Sequence, residues 1–269
     1  MPACILHLSD LHTGTREDTH VESALAALVE RVAPDLVVAS GDLTHRGKSS
    51  QHERAHAMLQ SLGRPVLAVP GNHDLPYVLP ARFTSPWRAF ERVWGTTEQT
   101  HSTPALQVVG LNSARPYRQQ SGAVGERQLQ RAAERLAAGA DGAYRVVVLH
   151  HHMIGAPWRT ARKRPVSRRN HVLRALVSAG ADLILAGHIH QAALSERREF
   201  EVVGGDVRAA VVSIAPGLGQ PRPNRLGEAR GLHVYDIDDR TLTASTYIWR
   251  ETDWGLTARR TFPRGTALL

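Results

Sequence analysis

The chain has 269 residues, of which 42% are hydrophobic, and its 33 Lys and Arg outnumber its 25 Asp and Glu to give a formal net charge of +8. This charge favours anionic substrates or surfaces, whereas no apolar run reaches the roughly 18 residues that a membrane helix needs. The single cysteine, Cys4, excludes an internal disulfide. Because the first predicted strand begins at Cys4, we expect no secretory signal. We therefore expect a cytoplasmic protein without a transmembrane segment.

Five apolar runs of strand length follow one another along the chain, and each ends in Asp, Asn or His. They are CILHLSDLH (4–12), DLVVASGDL (35–43), RPVLAVPGNHD (64–74), YRVVVLHHHM (144–153) and ADLILAGHIH (181–190). Segments with helical period lie between them, with apolar residues at positions 21, 24, 25, 28, 29 and 32, at 129, 133 and 136, and at 172, 173, 176 and 177. Strands separated by crossover helices usually run parallel, and their ligand crevice lies outside their carboxyl ends. We therefore expect the five polar ends to meet at one edge of a sheet.

These strand ends carry side chains that bind metal ions. Together they offer Asp10, His12, Asp42, Asn72, His73, Asp74, His150, His151, His152, His188 and His190. Carboxylate, amide and imidazole groups without a thiolate suit a borderline divalent ion such as Mn, Fe, Zn or Co, whereas oxygen ligands alone would suggest Mg or Ca. Each cluster by itself also fits a helix cap or a turn. Because every strand of the series ends this way, we predict a metal site, with two ions rather than one.

The strand ends form an ordered series of motifs: Asp10-Leu-His12, Gly41-Asp42, Gly71-Asn72-His73-Asp74, the cluster from His150, and Gly187-His188-Ile189-His190. This series resembles the signature of calcineurin-like metallophosphoesterases. Within that family the chain is most similar to the small bacterial class III cyclic-nucleotide phosphodiesterases, from about residue 4 to about residue 250 and loosely outside the motifs. The resemblance implies an α/β fold, a four-layer sandwich of two mixed β-sheets flanked by α-helices, with a dinuclear metal site.

The resemblance also implies a role for each motif residue. The implied metal ligands are Asp10, His12 and His190 for one ion, Asn72, His150 and His188 for the other, and Asp42 as the bridge between them. His73 would lie over the substrate, outside the metal ligands. Asp74 would orient His73 and raise its basicity.

One departure from the family pattern affects the fourth strand. The family usually reads His-His-Pro there, whereas this chain reads His150-His151-His152-Met153. Counting from the end of VVVL favours His150 as the ligand, with His151 as the alternative, and places His152 toward the substrate or behind a ligand. We assign substrate contacts to His151, His152 and Arg159. Arg159 belongs to the Arg-rich segment 155–169, whose guanidinium groups suit phosphate oxygens, although a solvated loop is an equal alternative.

The C-terminal part has a different pattern from the rest. Residues 199–217, 231–238 and 242–251 are β-rich runs separated by Gly, Pro and Asp turns, without helical period. We interpret the part from about 199 to 262 as antiparallel strands that complete the second sheet of a single domain, residues 1–269. The basic loop 218–231 either borders the site or, as we favour, is an ordinary surface loop.

The chemistry that follows from the resemblance is metal-dependent hydrolysis. Two close divalent ions lower the pKa of a bridging water, orient the phosphoryl group and stabilise the attacking and leaving oxygens, so that hydroxide is the nucleophile. His73 either protonates the departing alkoxide or stays protonated and stabilises charge. We therefore predict a dinuclear phosphodiesterase that hydrolyses small-molecule phosphodiesters, with 3',5'-cyclic nucleotides as the named candidate.

Other functions fit parts of the pattern. A phosphomonoesterase, a nuclease and a lipid-headgroup phosphodiesterase share the predicted site, and a scaffold that has lost its chemistry is the least favoured alternative. Nucleic acid is a less favoured partner than a small molecule, because the chain lacks an obvious additional DNA-binding domain. The sequence leaves the oligomeric state open, a dimer included.

Overall fold

The computed structural model describes residues 1–15, 18–118, 120–154, 163–199, 210–219 and 228–264. Its first half contains β1 (Ala3–Leu8), α1 (Thr19–Val32), β2 (Leu36–Ala39), α2 (Ser49–Gln60), β3 (Val66–Ala68), α3 (Ala81–Thr84), α4 (Arg88–Trp94), β4 (Thr100–Ser102), β5 (Leu106–Gly110) and α5 (Glu126–Ala137). Its second half contains β6 (Tyr144–Val148), α6 (Arg169–Ser178), β7 (Leu183–Ala186), β8 (Ala193–Glu196), β9 (Val211–Ile214), β10 (Gly231–Ile237), β11 (Thr241–Arg250) and β12 (Asp253–Pro263). Short 3-10 helices occupy Asn72–Asp74 and Arg197–Glu199. No helix in these ranges combines the length and the hydropathy that crossing a bilayer requires.

The strands form two mixed sheets. The first sheet has the order β12-β11-β10-β1-β2-β3, in which β1, β2 and β3 are parallel and β10 to β12 are antiparallel. The second sheet has the order β4-β5-β6-β7-β9-β8, in which β5, β6, β7 and β9 are parallel and the edge strands β4 and β8 are antiparallel. This arrangement confirms the predicted α/β class.

Alternation along each strand builds the layers. In β2, Leu36 and Val38 face a core between the two sheets, whereas Val37 and Ala39 pack toward α1 and α2. The second sheet behaves likewise, with Val147 of β6 turned toward α5 and α6. Successive side chains of a strand point to opposite faces, and strands buried on both faces therefore read as continuous apolar runs. Three apolar cores thus separate four layers in the order helix, sheet, sheet, helix.

The predicted helices form and cover the outer faces of the sheets. Helix α1 buries Val21, Leu25 and Leu28, and its first turn is capped by Asp18, whose side chain accepts a hydrogen bond from the Val21 amide. Its last turn ends at Ala33, which adopts a left-handed conformation. Each fully buried leucine stabilises the fold by about 2 kcal/mol.

Two expectations about the sheets were wrong. The five strands with polar ends do not share one sheet, because the first three lie in the first sheet and the last two, β6 and β7, lie in the second. The C-terminal strands do not all complete the second sheet either, because β10 pairs with β1 and carries β11 and β12 into the first sheet. Strand pairing depends on long-range packing, which the local pattern of a strand does not specify. That residues 1–269 form one domain stays a prediction.

Candidate metal centre

The two sheets bring all five polar strand ends to one side of the molecule. Hydrogen bonds between the sheets fix this arrangement: the His188 amide donates to Asp10 Oδ2 at 2.8 Å, and His150 Nδ1 donates to the Ser40 carbonyl at 2.8 Å. Within the first sheet the Asp10 amide donates to the Gly41 carbonyl at 2.9 Å. The predicted convergence is therefore present, although it joins two sheets and not the strands of one.

The first cluster consists of Asp10, His12 and His190, whose candidate ligand atoms lie within 4.8 Å of one another. His190 Nε2 lies 3.0 Å from Asp10 Oδ1 and 3.3 Å from His12 Nε2. All three residues are buried. A set of one carboxylate and two imidazoles around one point is a ligand set for a borderline divalent ion.

The second cluster consists of Asp42, His150 and His188 and is equally compact. His150 Nε2 lies 3.4 Å from Asp42 Oδ2 and 3.1 Å from His188 Nδ1. Asp42 Oδ2 also lies 3.9 Å from His12 Nε2 of the first cluster. The carboxylate of Asp42 therefore lies between the two clusters.

Three buried oxygens show that these residues fit metal ions. Asp10 Oδ1, Asp42 Oδ2 and Asn72 Oδ1 accept no well-aligned hydrogen bond from the described residues, although buried polar atoms are normally satisfied. His190 Nε2 and His150 Nε2 lie close to the two carboxylate oxygens, but not in hydrogen-bonding geometry. The other carboxylate oxygens are engaged, since Asp10 Oδ2 accepts from the His188 amide and Asp42 Oδ1 accepts from the His73 amide, each at 2.8 Å. Hydrogen bonds thus orient each carboxylate and leave one of its oxygens for a cation.

The backbone is unusual at the same positions. Five residues of the two clusters have positive φ: Asp10 (52°), His12 (50°), Asp42 (51°), His188 (76°) and His190 (57°). Residues other than glycine seldom adopt this left-handed conformation, and such strain concentrates at functional sites. The backbone therefore marks these loops independently of their side chains.

Close approach explains two of the motif glycines. A Cβ atom at Gly71 would overlap Asp42 Oδ1, and a Cβ atom at Gly187 would overlap Ser9 Oγ and approach Asp10 Oδ2 to 2.7 Å. Only glycine lets these loops approach the carboxylates at the ends of other strands so closely.

The histidine run divides in the structure. His150 Nδ1 donates to a carbonyl, which leaves Nε2 as the ligand atom. His151 instead places Nδ1 2.9 Å from Ser113 Oγ, and the His152 ring stacks on His188 with centroids 5.8 Å apart. His150, rather than His151, therefore belongs to the cluster. His151 and His152 are 1% and 3% exposed, and the substrate contacts that we expected for them stay a prediction. Both pack behind ligand-type histidines.

His73 and Asp74 are not paired as we expected. Among the described residues, the Asp74 carboxylate accepts hydrogen bonds from the amides of Leu43, Thr44 and Gly71 and from the Thr44 hydroxyl. His73 Nδ1 lies 3.0 Å from the carbonyl of His45 and 3.0 Å from the hydroxyl of Tyr77. The orientation of His73 by Asp74 is therefore corrected: Asp74 secures the loops, because its oxygens are occupied by loop donors.

Electrostatics distinguishes the imidazoles. Burial lowers the pKa of His12 to about 3 and holds the pKa of His188 well below its usual range. Burial acts in the same direction on His150, but the carboxylates of Asp42 and Asp10 outweigh it and raise its pKa to about 9. Burial alone would raise the pKa of Asp42, yet its histidine neighbours keep the pKa far below the ordinary value. Neutral imidazole and ionised carboxylate are the forms that bind metal, so His150 would release a proton when an ion binds.

Several neighbours of the site were not assigned to it from the sequence. Lys163 is buried and its Nζ donates to the His188 carbonyl at 2.6 Å. The described ends of loop 218–231 border the site, since the Gly219 amide donates to the Asp10 carbonyl at 2.9 Å. The alternative that we favoured, an ordinary surface loop, was therefore wrong for these ends. Tyr77 gave no sequence signal beyond its position four residues after His73. Arg159 lies outside the described residues.

Comparison with known proteins places the chain in a family. Residues 4–192 match the family model described as calcineurin-like phosphoesterase. The chain belongs to the calcineurin-like phosphoesterase family. This membership confirms the resemblance seen in the motifs and supports the predicted class of metal-dependent phosphoesterase.

Two curated relatives carry phosphodiesterase names. A probable cyclic nucleotide phosphodiesterase of Synechococcus sp. is 30% identical over 48% of this chain and 47% of its own length. The 3',5'-cyclic adenosine monophosphate phosphodiesterase CpdA of Haemophilus influenzae is 28% identical over 63% of this chain and 59% of its own length. The chain thus matches about half the length of these relatives.

A solved structure confirms the fold. The purple acid phosphatase PPD1 of yellow lupin (Lupinus luteus) superposes with a TM-score of 0.71 at 11% identity, covering 98% of this chain and 54% of the lupin chain. At this identity the likeness concerns the fold alone. It agrees with the two mixed sheets and flanking helices described above.

Proposed function

We propose that the protein is a dinuclear metal-dependent phosphodiesterase that hydrolyses small-molecule phosphodiesters. The observation that carries this proposal is the convergence of the Asp10 and Asp42 carboxylates with four histidines in two buried strand-end clusters. Family membership supports the reaction class, and the names of the relatives support a diester over a monoester.

The ligand assignment combines the two clusters with the family resemblance, which adds Asn72 and makes Asp42 a ligand of both ions. We assign Asp10, His12 and His190 to one ion, Asn72, His150 and His188 to the other, and Asp42 to both. Divalent ions bound there would activate water for attack on phosphorus and stabilise the attacking and leaving oxygens. The protein contributes loops that hold the carboxylates in place before the ions bind.

His73 is the proposed acid for the leaving group. Its amide is anchored to Asp42 Oδ1, and its ring packs edge-on against His12 with centroids 4.8 Å apart. Nδ1 faces a carbonyl and must carry a hydrogen, so Nε2 is the nitrogen that exchanges a proton during turnover. A general acid placed beside the ions can protonate the departing alkoxide.

The proposed substrate class includes 3',5'-cyclic nucleotides, because one relative described above is named a probable cyclic nucleotide phosphodiesterase and the other a 3',5'-cyclic adenosine monophosphate phosphodiesterase. A cyclic nucleotide is a small diester with an alkoxide leaving group, which requires the acid that His73 supplies. The reaction class is tested first, with a diester and a monoester, and different diesters are compared afterwards.

The first experiment compares bis(p-nitrophenyl) phosphate with p-nitrophenyl phosphate, using protein loaded with Mn²⁺. We expect strong preference for the diester, and loss of turnover in Asp42→Ala. Asp141→Ala, which removes an exposed carboxylate, is the matched control and should turn over like the unchanged protein. Preference for the monoester would make phosphatase the better assignment. Absence of turnover on both compounds with Mn²⁺, Zn²⁺, Fe²⁺ and Co²⁺ would refute the proposal. If the diester is preferred, 3',5'-cyclic nucleotides and glycerophosphodiesters are compared next.

A further inference from the structure

A tyrosine outside the motifs contacts the proposed acid. The hydroxyl of Tyr77 lies 3.0 Å from His73 Nδ1, and the two rings are tilted by 38° with centroids 5.9 Å apart. The hydrogen bond from the His73 amide to Asp42 fixes the main chain, but it does not determine the rotation of the imidazole about its side-chain bonds. The contact with Tyr77 does act on that rotation.

The same nitrogen also faces a carbonyl. His73 Nδ1 lies 3.0 Å from the His45 carbonyl, which can only accept, so Nδ1 carries a hydrogen in the neutral and in the charged ring. The Tyr77 hydroxyl oxygen then accepts from the same N–H group. Two oxygens therefore hold one edge of the imidazole, and the Nε2 edge is left for proton transfer.

The segment that carries Tyr77 is secured by an arginine. Arg82 donates from Nη1 to the Pro76 carbonyl at 3.3 Å and from Nε to the Pro116 carbonyl at 2.8 Å. The hydroxyl of Tyr77 is thereby kept beside His73, although the side chain is 53% exposed. Replacing an exposed tyrosine by phenylalanine removes one oxygen with little change in packing.

We infer that Tyr77 is a positioning residue that aligns His73 Nε2–H with the leaving oxygen of the diester. This inference rests on the proposed function. In the step concerned, the bond from phosphorus to the leaving oxygen breaks with its electron pair on that oxygen, which takes the proton of His73 Nε2. Water supplies the hydroxyl group on phosphorus and releases one proton to solvent, and solvent returns one proton to His73.

The test uses the leaving group as the readout. Aryl methyl phosphates are prepared with leaving groups from p-nitrophenol to phenol, because the weakly basic p-nitrophenolate departs with little help from an acid whereas phenolate needs a proton. For Tyr77→Phe we expect kcat to fall about tenfold with phenol and about twofold with p-nitrophenol, the larger value being what one hydrogen bond contributes. KM and metal content should match those of the unchanged protein.

Tyr117→Phe is the matched control, since Tyr117 is 71% exposed on the neighbouring segment, and it should leave the whole series unchanged. In a His73→Ala background, Tyr77→Phe should cause no further loss, because its effect passes through the imidazole. The inference would be overturned if Tyr77→Phe lowered kcat equally for every leaving group or did not lower it at all. It would also be overturned if Tyr77→Phe lowered kcat just as much in the His73→Ala background. If the unchanged protein hydrolyses no diester, the proposed function fails and the inference fails with it.

Discussion

Asp42 divides its two carboxylate oxygens between two tasks. Oδ1 accepts the amide of His73 at 2.8 Å, whereas Oδ2 faces His12 at 3.9 Å and His150 at 3.4 Å. The same side chain therefore anchors the proposed acid and joins the two ligand clusters. His73 itself packs beside the clusters and is not a ligand in the proposed assignment. Substitutions of Asp42 and of His73 should therefore have different effects.

Substituting these residues should separate metal retention from catalysis. In Asp42→Ala we expect loss of bound metal and of turnover together, because the shared ligand is removed. In His73→Ala we expect the metal to remain while turnover with an alkoxide leaving group falls about 10²-fold or more, the contribution of a general acid. Metal analysis of the dialysed variants, together with kcat, checks both. An Asp42→Ala protein that kept two ions and full activity would disprove the bridging assignment.

The Asp74 carboxylate connects two loops of the site by hydrogen bonds. Its Oδ1 accepts from the Thr44 amide at 2.8 Å and the Thr44 hydroxyl at 2.9 Å, and its Oδ2 accepts from the Gly71 amide at 2.8 Å and the Leu43 amide at 3.1 Å. The 3-10 helix after β3 is thereby attached to the loop after β2. Burial raises the pKa of this carboxyl, while the amides of Gly71 and Thr44 favour the ionised form.

We expect Asp74→Asn to lower stability more than any step of catalysis. The amide group can replace one oxygen at most, so two loop donors lose their acceptor, and the free energy of unfolding should fall by about 3 kcal/mol. Urea unfolding measures this, with the exposed Asp141→Asn as the control, which should stay within about 0.5 kcal/mol. Unchanged stability with a loss of kcat confined to basic leaving groups would instead favour the role that the resemblance implied for Asp74.

For the whole molecule, the packing of the sheets includes buried polar groups near the site. His233 of β10 donates from Nε2 to the Ile214 carbonyl of the second sheet at 3.0 Å, and the Tyr235 hydroxyl lies 2.6 Å from Ser213 Oγ. His7 is paired with His233 in the strand register and is also fully buried. Burial lowers the pKa of His233 to about 4 and holds that of His7 well below its usual range.

These imidazoles should make the fold sensitive to acid. In the unfolded chain a histidine takes up a proton near pH 6.5, whereas His233 in the folded protein stays neutral down to about pH 4. Its stabilising contribution is therefore complete above pH 6.5 and is lost as the pH falls from there to about 4, by about 3 kcal/mol. Urea unfolding at pH 7 and pH 4.5 measures the loss, which should be smaller in His233→Gln. An identical loss in that variant would refute the assignment.

The core between the sheets also bears on domain organisation. It combines Ile5 of the first strand, Val146 of the middle of the chain and Phe262 of the last strand. We therefore propose that residues 1–269 form one domain, and we expect one cooperative thermal transition with equal calorimetric and van't Hoff enthalpies. Two separated transitions in the metal-free protein would contradict this proposal.

Much of the site could be predicted because its residues lie in short local motifs of the sequence. Each strand is a continuous apolar run, and each ligand loop follows its strand directly, so chain order identified Asp10, Asp42 and His150 without knowledge of the pairing. Counting positions from the end of VVVL favoured His150 over His151 correctly, because side chains alternate between the two faces along β6 and its extension. The Asp74 assignment failed because a carboxylate takes whichever donors the neighbouring loops present.

The family, the layered α/β class and the candidate ligands could be inferred from the sequence alone, since they depend on hydrophobic period, strand ends and short motifs. The division of the strands between two sheets, and the contacts of Tyr77 and the His45 carbonyl with the His73 ring, became visible in the folded structure alone. The physical reason is that strand pairing and side-chain partners are set by residues distant in sequence or by irregular loops. In such places many pairings satisfy the local pattern, and packing of the whole molecule selects one of them.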